Sequence, residues 1–194
     1  MIPIFEYKNV KYPEWLKSGN AARFAIPYAK EMCHGFGYDI GPGKREWAFP
    51  GAIPIDLEIK LTNKELKRMY SYGLREPEDC PVELKHCHNV FEAMDLPVGQ
   101  VDYIFSSHCL EHIREPWHEV IRYWWDHLKP GGVLFLYLPH FEMVYWRPWN
   151  NTKHVHVLDQ LAIGKFIETL DYKTVINMGK DLNHSFFVFA DKRI

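Results

Sequence analysis

Strand-like and helix-like segments alternate along most of this chain, and two strand-like segments follow one another near its C-terminal end. One run between them, Val133 to Leu138, is apolar without a break, as in a strand covered on both faces. These observations predict an α/β fold: a doubly wound, mostly parallel sheet with an antiparallel C-terminal hairpin.

The elements follow in order. Asn20 to Cys33 places Ala22, Phe24, Ala25, Tyr28, Ala29 and Met32 at helical spacing, with Ser18 or Asn20 as cap. Tyr38 to Ile40 reads as a short strand and Ala52 to Leu57 as a second. Leu61 to Tyr72 reads as a helix, Lys85 to Phe91 as a weak third strand, and Asp95-Leu96-Pro97 as a turn. Val101 to Ser106 is a buried strand. Pro116 to Leu128 is a helix opened by proline and closed before Lys129-Pro130-Gly131-Gly132. After the Val133 strand, Leu158 to Leu170 is helical, and Tyr172 to Met178 pairs with Ser185 to Ala190 across the polar stretch GKDLNH.

With 194 residues, 47% of them hydrophobic and 25% charged, the chain has the size and composition of one globular domain. The expectation is a single domain over 1–194, in which an N-terminal helical segment, 1–34, contributes to the pocket. A formal charge of -2 supplies no basic field, so nucleic acid is not an expected partner. No run approaches the roughly 20 apolar residues of a membrane span. The start, MIPIFEYKNVKYPEW, lacks the basic and apolar blocks of a signal peptide. Cys33, Cys80, Cys87 and Cys109 then read as reduced thiols, and the expected location is cytoplasmic. Seven Trp, eleven Tyr and twelve Phe are many, and some are expected to line a pocket.

Chemistry concentrates in "GYDIGPGKREWAFPGAIPIDLE", residues 37–58. Gly41-x-Gly43 after a strand lets backbone approach a ligand, and a carboxylate closing the next strand can accept from two ribose hydroxyls. A nucleotide-like ligand follows. The third small residue of a dinucleotide fingerprint is replaced by Glu46, which would repel a pyrophosphate.

Asp39 precedes the glycines, Asp56 closes the next strand, and "EAMDLP" puts Asp95 after the third. "VDYIFSSHCLEHI", a helix and "LKPGGVLFLYLPH" come next. This set resembles the class I S-adenosylmethionine-dependent methyltransferases, in particular a small branch with an SSH-LEH, LKPGG and LPH pattern, over roughly residues 36–190. The resemblance implies a Rossmann-like fold, a seven-stranded sheet and S-adenosylmethionine as cofactor. It implies that Asp39, Gly41 and Gly43 form the floor under the methionine part. Asp56, or else Glu58, would hold the ribose diol. Asp95 and the Leu96 backbone would meet the adenine, and Ser106 and Ser107 would lie beside the sulfonium. Lys44-Arg45-Glu46 departs from the small residues of many relatives, with Arg45 the candidate for the methionine carboxylate. The stretch from Lys60 to Asn89 matches no motif.

Histidines invite other readings. "HCLEH", 108–112, has the H-x-x-E-H spelling of some zinc peptidases, but His108 directly follows a buried strand and belongs to a turn. No metal is expected at His108 and His112; Glu111 and His112 are expected to brace the cofactor loop. Cys80, His86, Cys87 and His88, with Cys33-His34, lack the paired knuckles of a structural zinc site. His140 follows the fifth strand on the ligand side. His154 and His156 share a side if "KHVHVLD" is extended. Between them lies an aromatic loop with Phe141, Tyr145, Trp146, Arg147 and Trp149. His140, His154 and His156 are the candidate catalytic residues. The expected activity is methyl transfer to an oxygen or nitrogen of a small-molecule or glycan-type acceptor. A catalytically silent cofactor- or partner-binding module on the same fold is the second reading. A zinc hydrolase using His108, Glu111 and His112 is the third.

Overall fold

The computed structural model describes residues 4–7, 10–13, 21–43, 47–57, 85–87, 98–143, 146–149 and 153–194. In chain order these hold β1 (Ile4–Tyr7), β2 (Val10–Pro13), α1 (Ala22–Met32), β3 (Gly37–Ile40), β4 (Ile53–Leu57), β5 (Lys85–Cys87) and β6 (Val101–Ser107). There follow a 3-10 turn (Leu110–His112), α2 (Trp117–His127), β7 (Leu128–Pro139), α3 (Gln160–Ile167), β8 (Tyr172–Met178) and β9 (Ser185–Lys192). The helix expected over 61–72 and the turn at 95–97 lie outside the described residues.

Seven strands form one sheet in the order β5-β4-β3-β6-β7-β9-β8. From β5 to β7 all neighbours are parallel, and β9 runs antiparallel to both β7 and β8. The fold is the doubly wound one expected, C-terminal hairpin included. β3 lies between β4 and β6, so strand order reverses there, and the carboxyl ends of β3 and β6 flank the crevice where such sheets bind ligands.

Two apolar clusters cover the faces of the sheet. On one side Val120, Ile121, Trp124 and Trp125 of α2 and Ile163 and Ile167 of α3 pack on Ile40, Ile104, Leu134, Leu136 and Val188. On the other, Ala25 and Ala29 of α1 lie against Phe49, Tyr103, Phe105, Phe135, Tyr137 and Phe187. Small residues on the helix let large rings fill the space. Phe49, Phe105, Phe135 and Phe187 form a stacked row with centroids 5.1, 5.6 and 5.5 Å apart. Such pairs contribute about 0.5–1.5 kcal/mol each beyond area burial. Much of the aromatic content therefore builds core, while Trp47, Phe141 and Trp146 line hollows at the surface.

Local chemistry sets the boundaries. Asp159 caps α3, its Oδ1 accepting from the Ala162 amide at 2.8 Å, so this helix starts two residues later than the apolar pattern begins. β7 starts at Leu128, ahead of the expected Val133; Lys129-Pro130-Gly131-Gly132 is absorbed as an irregularity with Gly131 at φ +76°. Among the described residues of the N-terminal segment the helix is Ala22–Met32, and Ile4–Tyr7 pairs antiparallel with Val10–Pro13 in a separate two-stranded sheet. Among the described residues no helix is long and apolar enough to cross a membrane.

Candidate active site

The carboxyl ends of β3 and β6 open onto a cleft of about 440 Å³, including space open to solvent. Asp39, Gly41, Pro42 and Gly43 form one wall, Ser107 and His108 another, and Ala21, Ala22 and Trp47 the rim.

The glycines are required by geometry. Gly41 and Gly43 have φ of +76° and +73°, the left-handed region that favours glycine. A Cβ on Gly41 would also collide with the Cys109 side chain. The Gly41 amide donates to the Ile55 carbonyl at 2.7 Å, and the Gly43 amide donates to Asp56 Oδ2 at 2.6 Å. Asp56, 9% exposed, thus shapes the loop through the Gly43 amide and does not itself line the cleft.

Asp39 is 1% exposed. Its Oδ2 accepts from the Phe49 amide at 2.7 Å, while Oδ1 has no hydrogen-bond partner among the described residues. Burial pushes its carboxyl up to about 7, and the charge of Asp56 adds to this, against the opposing Phe49 hydrogen bond. The result is an under-satisfied oxygen at the floor of the cleft. Cys33 is buried nearby, and desolvation pushes its thiol up to about 12, which leaves it inert near neutral pH.

At the end of β6 the two serines separate. Ser106 is fully buried and donates to the Ile40 carbonyl at 2.9 Å, tying β6 to β3. It does not line the cleft, contrary to expectation, because neighbouring residues of a strand point to opposite faces. Ser107 does line it, and its hydroxyl has no partner among the described residues. Asp95, Leu96, Glu58 and Arg45 lie outside the described residues.

His108 is the cleft residue that sequence reasoning missed. It turns the chain at φ +50°, a conformation that costs a non-glycine residue about 1–2 kcal/mol. Its amide donates to the Tyr137 carbonyl at 2.8 Å, and its Nε2 lies 2.8 Å from Ser185 Oγ. Its Nδ1 is 3.4 Å from Glu111 Oε1, and Trp146 packs edge-on with centroids 4.7 Å apart. Ser185, His108 and Glu111 thus line up as a nucleophile, base and acid would. Yet Ser185 is fully buried and bonded to Asn183, out of reach of a substrate. The position of His108, one residue beyond an apolar strand that ends on polar residues, was the available signal.

Glu111 is also fully buried, its Oε1 facing His108 and its Oε2 without a partner among the described residues. Burial works against its charge, but the His108, His112 and His154 rings outweigh it and hold the carboxyl below its ordinary range. The Glu111 carbonyl accepts from the Val155 amide at 2.7 Å. Its backbone therefore pins the 153–156 segment, whereas a brace on the cofactor loop had been expected.

The three candidate catalytic histidines divide. His140 follows β7 as expected, and with His156, Phe141, Trp146 and Arg147 it lines a second, shallow hollow of about 200 Å³, most of it open to solvent. Burial pushes the His140 imidazole down from its ordinary value, so it is neutral near pH 7. Its Nδ1 accepts from the Glu142 amide at 3.3 Å. His156 Nε2 lies 2.9 Å from the Glu115 carbonyl. The chain alternates here, burying His154 and exposing Val155, but His154 does not line this hollow. Its ring meets that of His112 at 4.6 Å, and its place beside His140 is corrected accordingly. Trp146 lines the hollow and touches His108, so it stands between hollow and cleft.

Comparison with known proteins agrees with this geometry. A family model described as a methyltransferase domain matches residues 18–175. A chain in the complex between the Haloferax volcanii Trm112 methyltransferase activator and a methyltransferase superposes with TM-score 0.63 at 11% identity, covering 93% of this chain and 92% of that one. A SAM-dependent methyltransferase from Archaeoglobus fulgidus gives TM-score 0.63 at 14% identity, covering 91% and 94%. One from Aquifex aeolicus gives 0.54 at 16% identity, covering 91% and 96%. No curated protein sequence matches. At these identities the structures speak for the fold, and the family model, spanning most of the chain, speaks for the lineage. The chain belongs to the methyltransferase domain family, within the class I S-adenosylmethionine-dependent methyltransferases that its motifs resemble.

Proposed function

We propose that this protein transfers a methyl group from S-adenosylmethionine to an oxygen or nitrogen of a small-molecule or glycan-type acceptor. The observation that carries the reading is the cleft at the β3–β6 switch point. There, two left-handed glycines, the unpartnered Asp39 Oδ1 and the unpartnered Ser107 hydroxyl converge. These residues fit the cofactor. The glycines let its methionine part lie against backbone, and Asp39 Oδ1 is a ready acceptor for its ammonium. Asp56 is the residue assigned to the ribose diol.

When bound, S-adenosylmethionine supplies a methyl on a cationic sulfur that becomes neutral as the methyl departs. The protein's share is alignment, which can contribute several kcal/mol when a near-attack geometry is held. The hollow beside His140 holds the acceptor, with Trp146 and Phe141 against it and Arg147 offering a cation. For a hydroxyl acceptor, the neutral His140 imidazole takes the proton at Nδ1, exchanging its long bond to the Glu142 amide for one to the acceptor. His156, on the same hollow, orients the acceptor.

Calorimetry with S-adenosylhomocysteine tests the cofactor site, and screening acceptors for S-adenosylhomocysteine release tests the reaction. Absence of binding overturns the reading. Binding without turnover on any acceptor favours the silent module instead.

A further inference from the structure

We propose that Glu111, His112 and His154 form a site for one divalent transition-metal ion of the zinc type, behind the His108 wall of the cleft. One ligand atom from each lies within 4.8 Å of the others. The His108–His112 pair weighed on the H-x-x-E-H spelling is not the one the fold assembles. His108 turns to Ser185, and His154, from the far side of the aromatic loop, takes the second imidazole place.

Among the described residues, hydrogen bonding around the cluster leaves His154 Nδ1 and Glu111 Oε2 without partners. His112 Nδ1 faces the Lys153 carbonyl at 3.0 Å, and a carbonyl only accepts, so Nδ1 carries the proton. In the neutral ring the lone pair is then on Nε2, which faces Glu111 Oε1 at 3.8 Å. These two atoms repel unless a cation lies between them, and a proton on Nε2 or a metal ion would each serve. His154 is 5% exposed, its Nδ1 has no partner, and the Trp146 backbone holds its ring by a hydrogen bond. Glu111 adds a fully buried carboxylate whose Oε1 faces His108 Nδ1 at 3.4 Å and whose Oε2 has no partner among the described residues. Such a group is costly to bury unless a cation compensates it. Protonating both imidazoles is opposed by their contact at 4.6 Å between centroids. A single dication satisfies all three inward atoms together.

The supports resemble those of a built metal site. Ligating histidines generally give their other ring nitrogen to a backbone carbonyl, as His112 does to Lys153. The two ligand-bearing segments are fastened together by the Val155 amide on the Glu111 carbonyl. Two imidazoles and one carboxylate suit zinc or iron(II), whereas calcium and magnesium prefer oxygen alone. Zinc lies about 2.0–2.2 Å from such donors, so the set must close somewhat around the ion. Rotation of His112, whose side chain is 38% exposed, allows that closure. Three protein donors leave a fourth position for water, and His112 gives the ion its route from solvent. Through Glu111, which also faces His108, occupancy reaches the cleft by one side chain.

The test needs no methyl acceptor, so its outcome is separate from that of the methyl-transfer reading. The full chain is stripped with a chelator, desalted, and titrated with Zn²⁺ by calorimetry and with Co²⁺ by visible absorption. One equivalent should bind, and Co²⁺ should show the d–d bands of a low-coordinate site. His112→Ala, a change at an exposed side chain, should weaken binding by about tenfold or more. Glu111→Gln should do the same, with circular dichroism verifying the fold, and the exposed His118→Ala should change nothing. Absence of stoichiometric binding by the unaltered protein overturns the proposal. So does binding that both His112→Ala and Glu111→Gln leave intact.

Discussion

The Gly43 amide donates to Asp56 Oδ2 at 2.6 Å, so the carboxylate assigned to the ribose also holds the glycine loop in shape. Removing it should cost twice. Asp56→Ala should weaken S-adenosylhomocysteine binding by about 1.5–3 kcal/mol or more, the range for hydrogen bonds to a charged group. Asp56→Asn keeps an oxygen for the Gly43 amide and should lose less. Calorimetry on the two variants checks the order; equal affinities for both and for the unaltered protein would remove Asp56 from the site.

Asp39 should trade stability for binding as pH changes. Its folded carboxyl is raised from 3.8 to about 7, so the native state holds the proton more tightly than the unfolded chain. Stability from this group is therefore full below about pH 4 and is lost as pH rises through about 7. Asp39→Asn should raise the Tm at pH 8 and make little difference near pH 4. At pH 8 the same variant should bind S-adenosylhomocysteine more weakly, having lost the charge that meets its ammonium. Thermal melts and calorimetry at both pH values decide it.

The two loop glycines should respond differently to alanine. Both pay the left-handed backbone penalty of about 1–2 kcal/mol. At Gly43 the added methyl meets Trp47 at 3.8 Å, an ordinary contact. At Gly41 it meets the Cys109 side chain head-on, adding an overpacking cost of about 1–3 kcal/mol. Denaturant midpoints should place Gly41→Ala below Gly43→Ala, and Cys109→Ala should recover part of that difference.

For a hydroxyl acceptor, His140→Ala should lower turnover by roughly 10²–10⁴-fold and leave S-adenosylhomocysteine affinity unchanged. Because burial depresses the His140 imidazole, the unaltered enzyme should keep its rate at neutral pH and lose it only as the ring protonates in acid. The deficit of the variant should shrink at high pH, where the acceptor ionises unaided. Normal turnover in His140→Ala would leave catalysis to alignment alone.

What could be read from sequence followed local rules. β6 and β7 announced themselves as apolar runs, α2 by its opening proline, and the cleft by glycines after a strand. Both Ser106 and Ser107 were expected beside the sulfonium, and the alternation of strand side chains is what separates them, Ser106 turning to the Ile40 carbonyl and Ser107 to the cleft. His154 escaped because its partners, Glu111 and His112, belong to a distant turn, and spacing along the chain carries no information about that meeting. His108 escaped because its strained backbone is imposed by the Tyr137 carbonyl and the Ser185 hydroxyl, neither of them near it in sequence.

The placement of β9 between β7 and β8 bears on how the molecule comes into being on the ribosome. β8 is synthesised before β9, yet among the described strands its neighbour in the sheet is β9. Until Ser185–Lys192 has emerged, β8 has no ladder to join and the open flank of β7 is unpaired. Half-made chains therefore expose a long apolar strand edge, the kind of surface that attracts chaperones or other nascent chains. Among the described strands β9 comes latest in chain order and closes that edge, so a ribosome stalled within β9 would leave a chain prone to aggregate even with every described residue of the cleft already made.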